Sequence, residues 1–425
     1  MSAAAPQGVA PVIDGDALLA DLAALGRIGA LPGGGVSRLA LGDEDAAARA
    51  WVRARMQALG MATTVDAIGN LVGVYPGQAD GPPVMTGSHI DTVRTGGLYD
   101  GNYGVLAGLA VVAALRAAGH RPRRPLAVAV FTNEEGARFA PDMMGSLVYV
   151  GGLPLDQALA TRGIDGASVG AELARTGWAG DAPVGRPQVD SFVELHIEQG
   201  PVLHRAGLPI GVVEGVQGIS WTEFTFRGQS NHAGTTPMAG RRDAGLVALQ
   251  LGAFVHALTQ RLGGRQLGTV GRLQLLPDLV NVVPHTAVMT VDLRNTDAAA
   301  LAGAEAALRA EAQRLAAAQG VEATQRVLAR FDPVDFDPAL VDLVAREAAA
   351  LGLPAQRLPS GAGHDAQMLA RVCPTAMVFV PSVDGLSHNV REHTDPEHLV
   401  QGAQLLLRLL LRLADRPAGT PPGAA

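Results

Sequence analysis

Residues 126–136 read LAVAVFTNEEG, an unbroken apolar run from Leu126 to Phe131 followed at once by Thr132, Asn133, Glu134, Glu135 and Gly136. Six residues are too few for an ordinary helix, and apolar side chains at every position mark a strand covered on both faces. Such strands belong to parallel sheets flanked by helices. Polar residues directly after the strand fall where these sheets place their ligands, beyond the carboxyl ends. Working outward, the arrangement recurs. Val84 and Met85 lead into Gly87, Ser88, His89, Ile90 and Asp91. The run 192–195 leads into His196, Ile197, Glu198 and Gln199, and the run 376–380 precedes a loop with His388. Asp100 and Gly101 lie in a glycine-rich loop before a helical stretch over 105–118. Another helix opens at Asp43, Glu44 and Asp45, with Val52, Met56 and Leu59 at helical spacing. The fold class predicted is α/β with a mostly parallel sheet.

The middle of the chain changes character. An alternating strand over 221–227 is followed by a helix over 243–262, strands over 268–274 and 287–293, a helix over 297–318 and a strand over 321–327. That order, βαββαβ, is the ferredoxin-like split-βαβ unit. The doubly wound pattern resumes after Asp335. The expected organisation is therefore a discontinuous catalytic domain, 1–214 and 330–425, with a smaller domain inserted over 215–329.

Composition narrows the chemistry. The 425 residues carry 33 basic and 40 acidic side chains, a net charge of −7, and every basic residue is Arg. Without Lys there is no Schiff base, no pyridoxal-phosphate linkage, no phosphate-loop lysine and no carboxylated-lysine bridge between metals. The acidic balance argues against nucleic acid and anionic membranes as partners. At 48% hydrophobic but 4% aromatic, the core must be built from Ala, Val and Leu. The single cysteine, Cys373, excludes an internal disulfide and a cysteine zinc cluster, and an inert buried thiol is expected there. No signal peptide is read in residues 1–12, both terminal dozens are expected to be disordered, and no apolar run approaches the ~20 residues that span a bilayer. A cytoplasmic location is expected.

An imidazole or acid after a single strand is usually a loop cap. One after every strand suggests a shared site. The set suits two hard-to-borderline divalent ions held without sulfur. Asp100 is the candidate bridge, with His89 and His196 completing one ion and Glu135 and His388 the other. Asp91, two residues beyond His89, can accept the second imidazole N–H with its carboxylate. In an extended segment Glu134 and Glu135 point apart, so one can bind metal while the other takes a proton from the reacting water.

The segments GSHIDTVRTGGLYDG, TNEEGARF, LHIEQGP, NHAGTTPM, RNT, SGAGHDA and SHN follow one another along the chain. Together they resemble the hydantoinase/carbamoylase family of dinuclear metal amidohydrolases, within the superfamily of zinc aminoacylases and exopeptidases. The resemblance runs from about residue 13 to 413. It implies a catalytic α/β domain and an inserted lid that also forms a homodimer. It implies two divalent ions per subunit, Zn²⁺ or Mn²⁺ with Co²⁺ or Ni²⁺ possible, on His89, Asp100 (bridging), Glu135, His196 and His388. It makes Glu134 the general base and His232 the stabiliser of the oxyanion, the latter able to act on the neighbouring subunit. Gln199, Asn281, Arg294, Gly361 and Ala362 would contact a small carboxylate-bearing substrate. An N-carbamoyl-L-amino acid is expected, with allantoate or β-ureidopropionate as alternatives; an aminoacylase, a peptidase or a catalytically silent binding relative fits the motifs less well.

Two positions depart from the family pattern. Asn102 and Tyr103 stand where many relatives have small residues, and Tyr103 is expected to narrow or reshape the pocket beside the metals. His285 stands where the family usually has Gly, which questions the turn that carries Asn281.

Overall fold

Four parallel strands set the geometry of the larger unit. In the computed structural model, which describes residues 10–417 and 420–421, strands β1 (Ala62–Val65), β2 (Leu71–Tyr75), β3 (Val84–His89), β4 (Leu126–Phe131), β5 (Ser191–Ile197) and β6 (Ile210–Val216) lead up to the smaller unit. That unit holds β7 (Gly218–Arg227), β8 (Leu267–Leu276), β9 (Thr286–Asn295) and β10 (Glu322–Phe331). The chain then continues through β11 (Val334–Asp335), β12 (Ala355–Ser360) and β13 (Thr375–Val380). The termini expected to be disordered fall partly on residues 1–9, 418–419 and 422–425, outside the described residues.

The larger sheet runs β1-β2-β4-β3-β5-β13-β6-β11, with β12 paired to β6. Its centre, β4-β3-β5-β13, is parallel, while β2 and β6 flank it antiparallel. All four central strands are buried at every position, as the apolar runs predict. Two groups of helices provide the cover. Asn102–Ala117 and Pro396–Asp415 pack on each other and on β3 and β5, while Met144–Tyr149 and Asp365–Leu369 pack on each other and on β4 and β5. The helix Pro396–Asp415 buries seven leucines, each worth roughly 1.5–3 kcal/mol when fully removed from water. Leucine here does the work that aromatics do elsewhere. The strands that the sequence does not announce, β1, β2, β6 and β12, lie outside the parallel block.

Register brings the ligand-bearing ends level. His89 pairs with Phe131 across β3 and β4, and His196 pairs with Phe379 across β5 and β13. The carboxyl ends of the parallel strands therefore finish along one edge.

The smaller unit is the βαββαβ sandwich. Its antiparallel sheet has the order β10-β7-β9-β8, and helices Ala244–Leu262 and Ala298–Ala318 pack on one face through Phe224, Phe226, Met289, Leu251 and Leu308. Asp243 and Asp297 cap the two helices, accepting N–H groups from Leu246 and Ala300. By contact, the larger unit ends at Gly215 and resumes at Asp335, and the smaller is Val216–Val334.

Candidate metal centre

His89 is the last residue of β3, His196 lies near the end of β5, and Glu134 and Glu135 follow β4. Asp100 precedes the helix Asn102–Ala117, and between them Gly101 has φ +65°. A Cβ on Gly101 would stand 2.4 Å from the His89 ring, so only glycine fits there. His388 lies in a loop after β13, with φ +53° and a half-exposed ring.

Asp100 stands between two sets of ligand atoms. Its Oδ1 is 4.0 Å from His89 Nε2 and 3.4 Å from His196 Nε2. Its Oδ2 is 3.2 Å from His388 Nε2, which is also 3.2 Å from Glu135 Oε2. The two groups, His89/Asp100/His196 and Asp100/Glu135/His388, each bring their donor atoms within 4.8 Å of one another. These are the two sets predicted from the strand ends.

Proton placement tests whether cations fit. His89 Nδ1 lies 2.9 Å from the Asp91 carbonyl, and His196 Nδ1 lies 2.9 Å from the Ile197 carbonyl. A carbonyl only accepts, so both hydrogens sit on Nδ1 and both Nε2 lone pairs face inward. The Gly101 N–H, 3.2 Å from His196 Nε2, agrees. Bare nitrogens therefore face a carboxylate, and Asp100 Oδ2 is buried without a hydrogen bond of good geometry. A divalent cation satisfies such a set, and the N/O donors suit one of hard-to-borderline character.

The carboxyl groups say the same. Burial pushes Glu134 and Glu135 well above the usual carboxylate range, and neighbouring acids push further: Asp365 on Glu134, Asp100 on Glu135. Burial raises Asp91 to about 7, with Asp45 adding to it. Burial would raise Asp100 as well, but the nearness of His388, with His196 and His89 next to it, holds it low. The closeness of His388 Nε2 to Asp100 Oδ2, 3.2 Å, lifts His388 to about 9. This pocket concentrates more negative charge than its own side chains balance.

Several details correct the sequence reading. The partner of the His89 N–H is the main-chain carbonyl of Asp91, not its carboxylate. That carboxylate instead accepts the N–H groups of Glu134, at 3.2 Å, and Glu135, at 3.3 Å. It thereby sets the turn that sends Glu134 towards His89, 3.3 Å away, and Glu135 towards His388. Tyr103 does not narrow the pocket. It is fully buried, and its hydroxyl donates to the Leu399 carbonyl at 2.6 Å, between two helices. Asn102 accepts from buried Arg38, whose guanidinium also donates to the carbonyls of Ile90, Leu25 and Ile28. One guanidinium thus ties the His89 segment to the residue after Gly101.

Gln199, with φ +56°, donates from Nε2 to Asp100 Oδ1 at 3.1 Å, while its buried Oε1 has no partner. Ala362 and Ser360 exchange hydrogen bonds beside Gly361. His364 is buried, with its ring centroid 4.5 Å from that of His196 in an edge-on arrangement and Nε2 2.9 Å from Ser360 Oγ. Burial lowers its pKa well below the usual histidine value, and His196 adds to this. Glu194, His196 and His364 form a third group able to hold a cation. The sequence hid it, because Glu194 lies inside an apolar run. Cys373 is buried, and burial pushes its thiol up to about 11, as expected for an inert group.

In the smaller unit, His232 forms a β-bridge with Val282, and the Asn281 carbonyl accepts the Ala233 N–H at 2.9 Å. His232 Nδ1 accepts N–H groups from Gly234 and Thr235 at 3.0 and 3.2 Å. Its proton therefore sits on Nε2, as a donor. His285 does not disturb the turn: its N–H donates to Leu276 and its carbonyl accepts from Gly228. Arg294 pairs with Asp292 through Nε at 3.0 Å and Nη2 at 2.9 Å. It lies at the far end of β9 from Asn281, roughly 25 Å of strand away at ~3.3 Å per residue. Asn281 and Arg294 therefore stand before and near the end of β9, respectively, within one copy.

The match to known proteins agrees with this geometry. Residues 85–412 match the model of peptidase family M20/M25/M40. The chain belongs to this family. As an M20 protein it is a hydrolase. It is 40% identical over 404 residues to an N-carbamoyl-L-amino-acid amidohydrolase of Rhizobium meliloti, covering 95% of this chain and 97% of that one. It is 34% identical over 397 residues to an allantoate amidohydrolase of Escherichia coli K12, covering 92% and 96%. A crystal structure of a hydantoinase/carbamoylase family amidase from Burkholderia multivorans superposes with a TM-score of 0.91 at 44% identity, covering 96% of this chain and all of that one. Among the described residues no helix is long and apolar enough to cross a membrane.

Proposed function

We propose that this M20 chain is a metal-dependent amidohydrolase that cleaves the ureido C–N bond of an N-carbamoyl-L-amino acid, giving the L-amino acid, carbon dioxide and ammonia. The observation that carries the reading is Asp100, whose two oxygens face two separate imidazole-and-carboxylate sets, with Glu134 beside them. The names of the similar proteins support the choice of bond. Allantoate is the second candidate, since it also presents a carboxylate and a ureido nitrogen.

His89, His196 and Asp100 would hold one divalent ion, and Asp100, Glu135 and His388 the other. Zn²⁺ and Mn²⁺ suit the donors, as do Co²⁺ and Ni²⁺. Such ions supply Lewis acidity, polarising a carbonyl and acidifying water. Glu134, raised by burial, takes a proton from the attacking water and returns it to the leaving nitrogen. His232 Nε2–H donates to the oxygen that gains charge. Arg294 exchanges Asp292 for the substrate carboxylate in a two-pronged hold. Gln199, Gly361 and Ala362 line the substrate's path beside the ions. Because His232 and Asn281 lie beyond the Thr286 end of β9 while Arg294 lies near its other end, we take the working form to be a homodimer, with the His232 end supplied by the neighbouring copy. A cytoplasmic enzyme acting on small carboxylates completes the reading.

The test is ammonia release from the Mn²⁺-loaded enzyme on a panel of N-carbamoyl-L-amino acids, allantoate and β-ureidopropionate. Turnover of the carbamoyl amino acids is expected. Activity confined to peptides would overturn the reading.

A further inference from the structure

We infer that Glu392 is a positioning residue that locks the loop of His388 to Asp100 and thereby builds one of the two ion sites. The inference rests on the two-ion reading above.

His388 is the least secured of the proposed ligands. Its ring is half exposed, its backbone is left-handed, and it lies on a loop rather than in a strand. A non-glycine residue at φ +53° is unfavourable unless its surroundings hold it. Glu392 is buried four residues further on. Its Oε1 accepts the N–H groups of Tyr99 at 3.0 Å and Asp100 at 3.2 Å. Its Oε2 accepts the Ser387 hydroxyl at 3.0 Å. The Ser387 oxygen in turn accepts from Gln199 Nε2 at 3.3 Å, and the second hydrogen of that amide goes to Asp100 Oδ1 at 3.1 Å. The bonds close a ring through Asp100, Glu392, Ser387 and Gln199. Gln199 Nε2 also lies 3.5 Å from His388 Nε2, and Glu392 Oε1 is fixed as an acceptor because the backbone N–H groups it meets can only donate.

A second observation is independent of the ring. A Cβ on Gly97 would lie 2.0 Å from Glu392 Oε1 and 2.4 Å from its Cβ. The φ of Gly97 is not positive, so its smallness serves the approach of this carboxylate rather than a turn. The loop before Asp100 is thus shaped around a side chain nearly three hundred residues away, which reaches the bridging Asp100 through its backbone N–H and the His388 loop through Ser387, and hydrogen-bonds neither His89 nor His196.

The experiment titrates the metal-free full-length protein with Zn²⁺ against a chromophoric chelator, comparing the wild type with Glu392→Ala, Glu392→Gln, Gly97→Ala and His388→Ala. The wild type should bind two ions. Glu392→Ala should weaken one of them by about 10–100-fold, the usual effect of removing a group that orients a ligand, and leave the other within about twofold, reproducing His388→Ala. Gly97→Ala, which displaces the carboxylate without removing it, should do the same. Glu392→Gln keeps the shape but reverses the bond to Ser387, so its loss should be smaller, with far-ultraviolet circular dichroism unchanged. Equal loss at both ions, or loss at neither, overturns the inference while leaving the two-ion reading intact. A wild type that binds fewer than two ions overturns both.

Discussion

His89, Asp100 and His196 are each no more than 2% exposed, and both imidazoles are bonded on the side away from the site. His232 and Asn281 stand exposed on loops of the other unit, held mainly through their backbones. The parallel sheet holds its candidate ligand atoms in a hydrogen-bonded arrangement, whereas the candidate residues of the antiparallel unit stand exposed. Charged and metal-binding groups must be oriented in advance, because reorganising them during reaction is costly. Groups that recognise a substrate can complete their bonds on binding.

That contrast can be attacked in order of effect. Glu134→Gln should lower kcat by about 10³-fold or more while metal content, by elemental analysis, stays unchanged. Substantial remaining turnover would remove Glu134 from its role. His232→Ala should cost about 10²-fold in kcat with no loss of metal. Mixing subunits of these two variants should restore about a quarter of wild-type activity, since half of the dimers would be mixed and each would hold one complete site. No recovery would place His232 in its own chain's site. Arg294→Lys should act chiefly on KM, raising it by about tenfold, because a point charge replaces a two-pronged hold. A fall in kcat alone would deny Arg294 a binding role.

The metal-free protein allows a pH test of the same contrast. Burial lowers the pKa of His89 and His364 below the usual 6.5. A group lowered in the fold gives stability that is present above its unfolded value and lost as pH falls. His388, raised to about 9, does the opposite: its contribution is complete below 6.5 and lost as pH rises through 9. On the acid side His89 and His364 should pull urea midpoints down with a slope of up to about 1.4 kcal/mol per pH unit for each proton taken up, against the opposite pull of the raised Glu134, Glu135 and Asp91. His364→Gln should flatten that limb, and an unchanged limb would show that His364 is not the group taking up the proton. The smallest effect is expected from Tyr103→Phe. Losing the bond to Leu399 should cost about 1 kcal/mol in denaturant unfolding, with kcat unaltered, since that hydroxyl lies between helices and not in the site.

The candidate ligands were legible because most stand at or just past the end of a buried strand, and the smaller unit was legible because its periods of 2 and 3.6 alternate cleanly. What stayed hidden depends on pairing across long separations. Nothing local distinguishes Glu392 from a turn acid, for its partners are Tyr99 and Asp100. Arg38 reads as one arginine among 33, although it spans the His89 and Asn102 segments. Asp91 was placed as acceptor of the His89 N–H, but its carbonyl takes that bond while its carboxylate takes the N–H groups of Glu134 and Glu135, which only the backbone path decides. Tyr103 pointed elsewhere because the residue it meets, Leu399, lies on a helix at the other end of the chain.

The level ends of the parallel strands carry one more consequence. Side chains alternate between the two faces of a sheet, so sliding β3 or β5 by a single residue would turn His89 or His196 to the opposite side. The centre thus exists in one alignment of the sheet and in no neighbouring one. Ion uptake would then work as an inspection of assembly. A chain that pairs its strands wrongly is not a weaker enzyme but an empty one, and any stability conferred by the ions goes only to molecules that have aligned correctly.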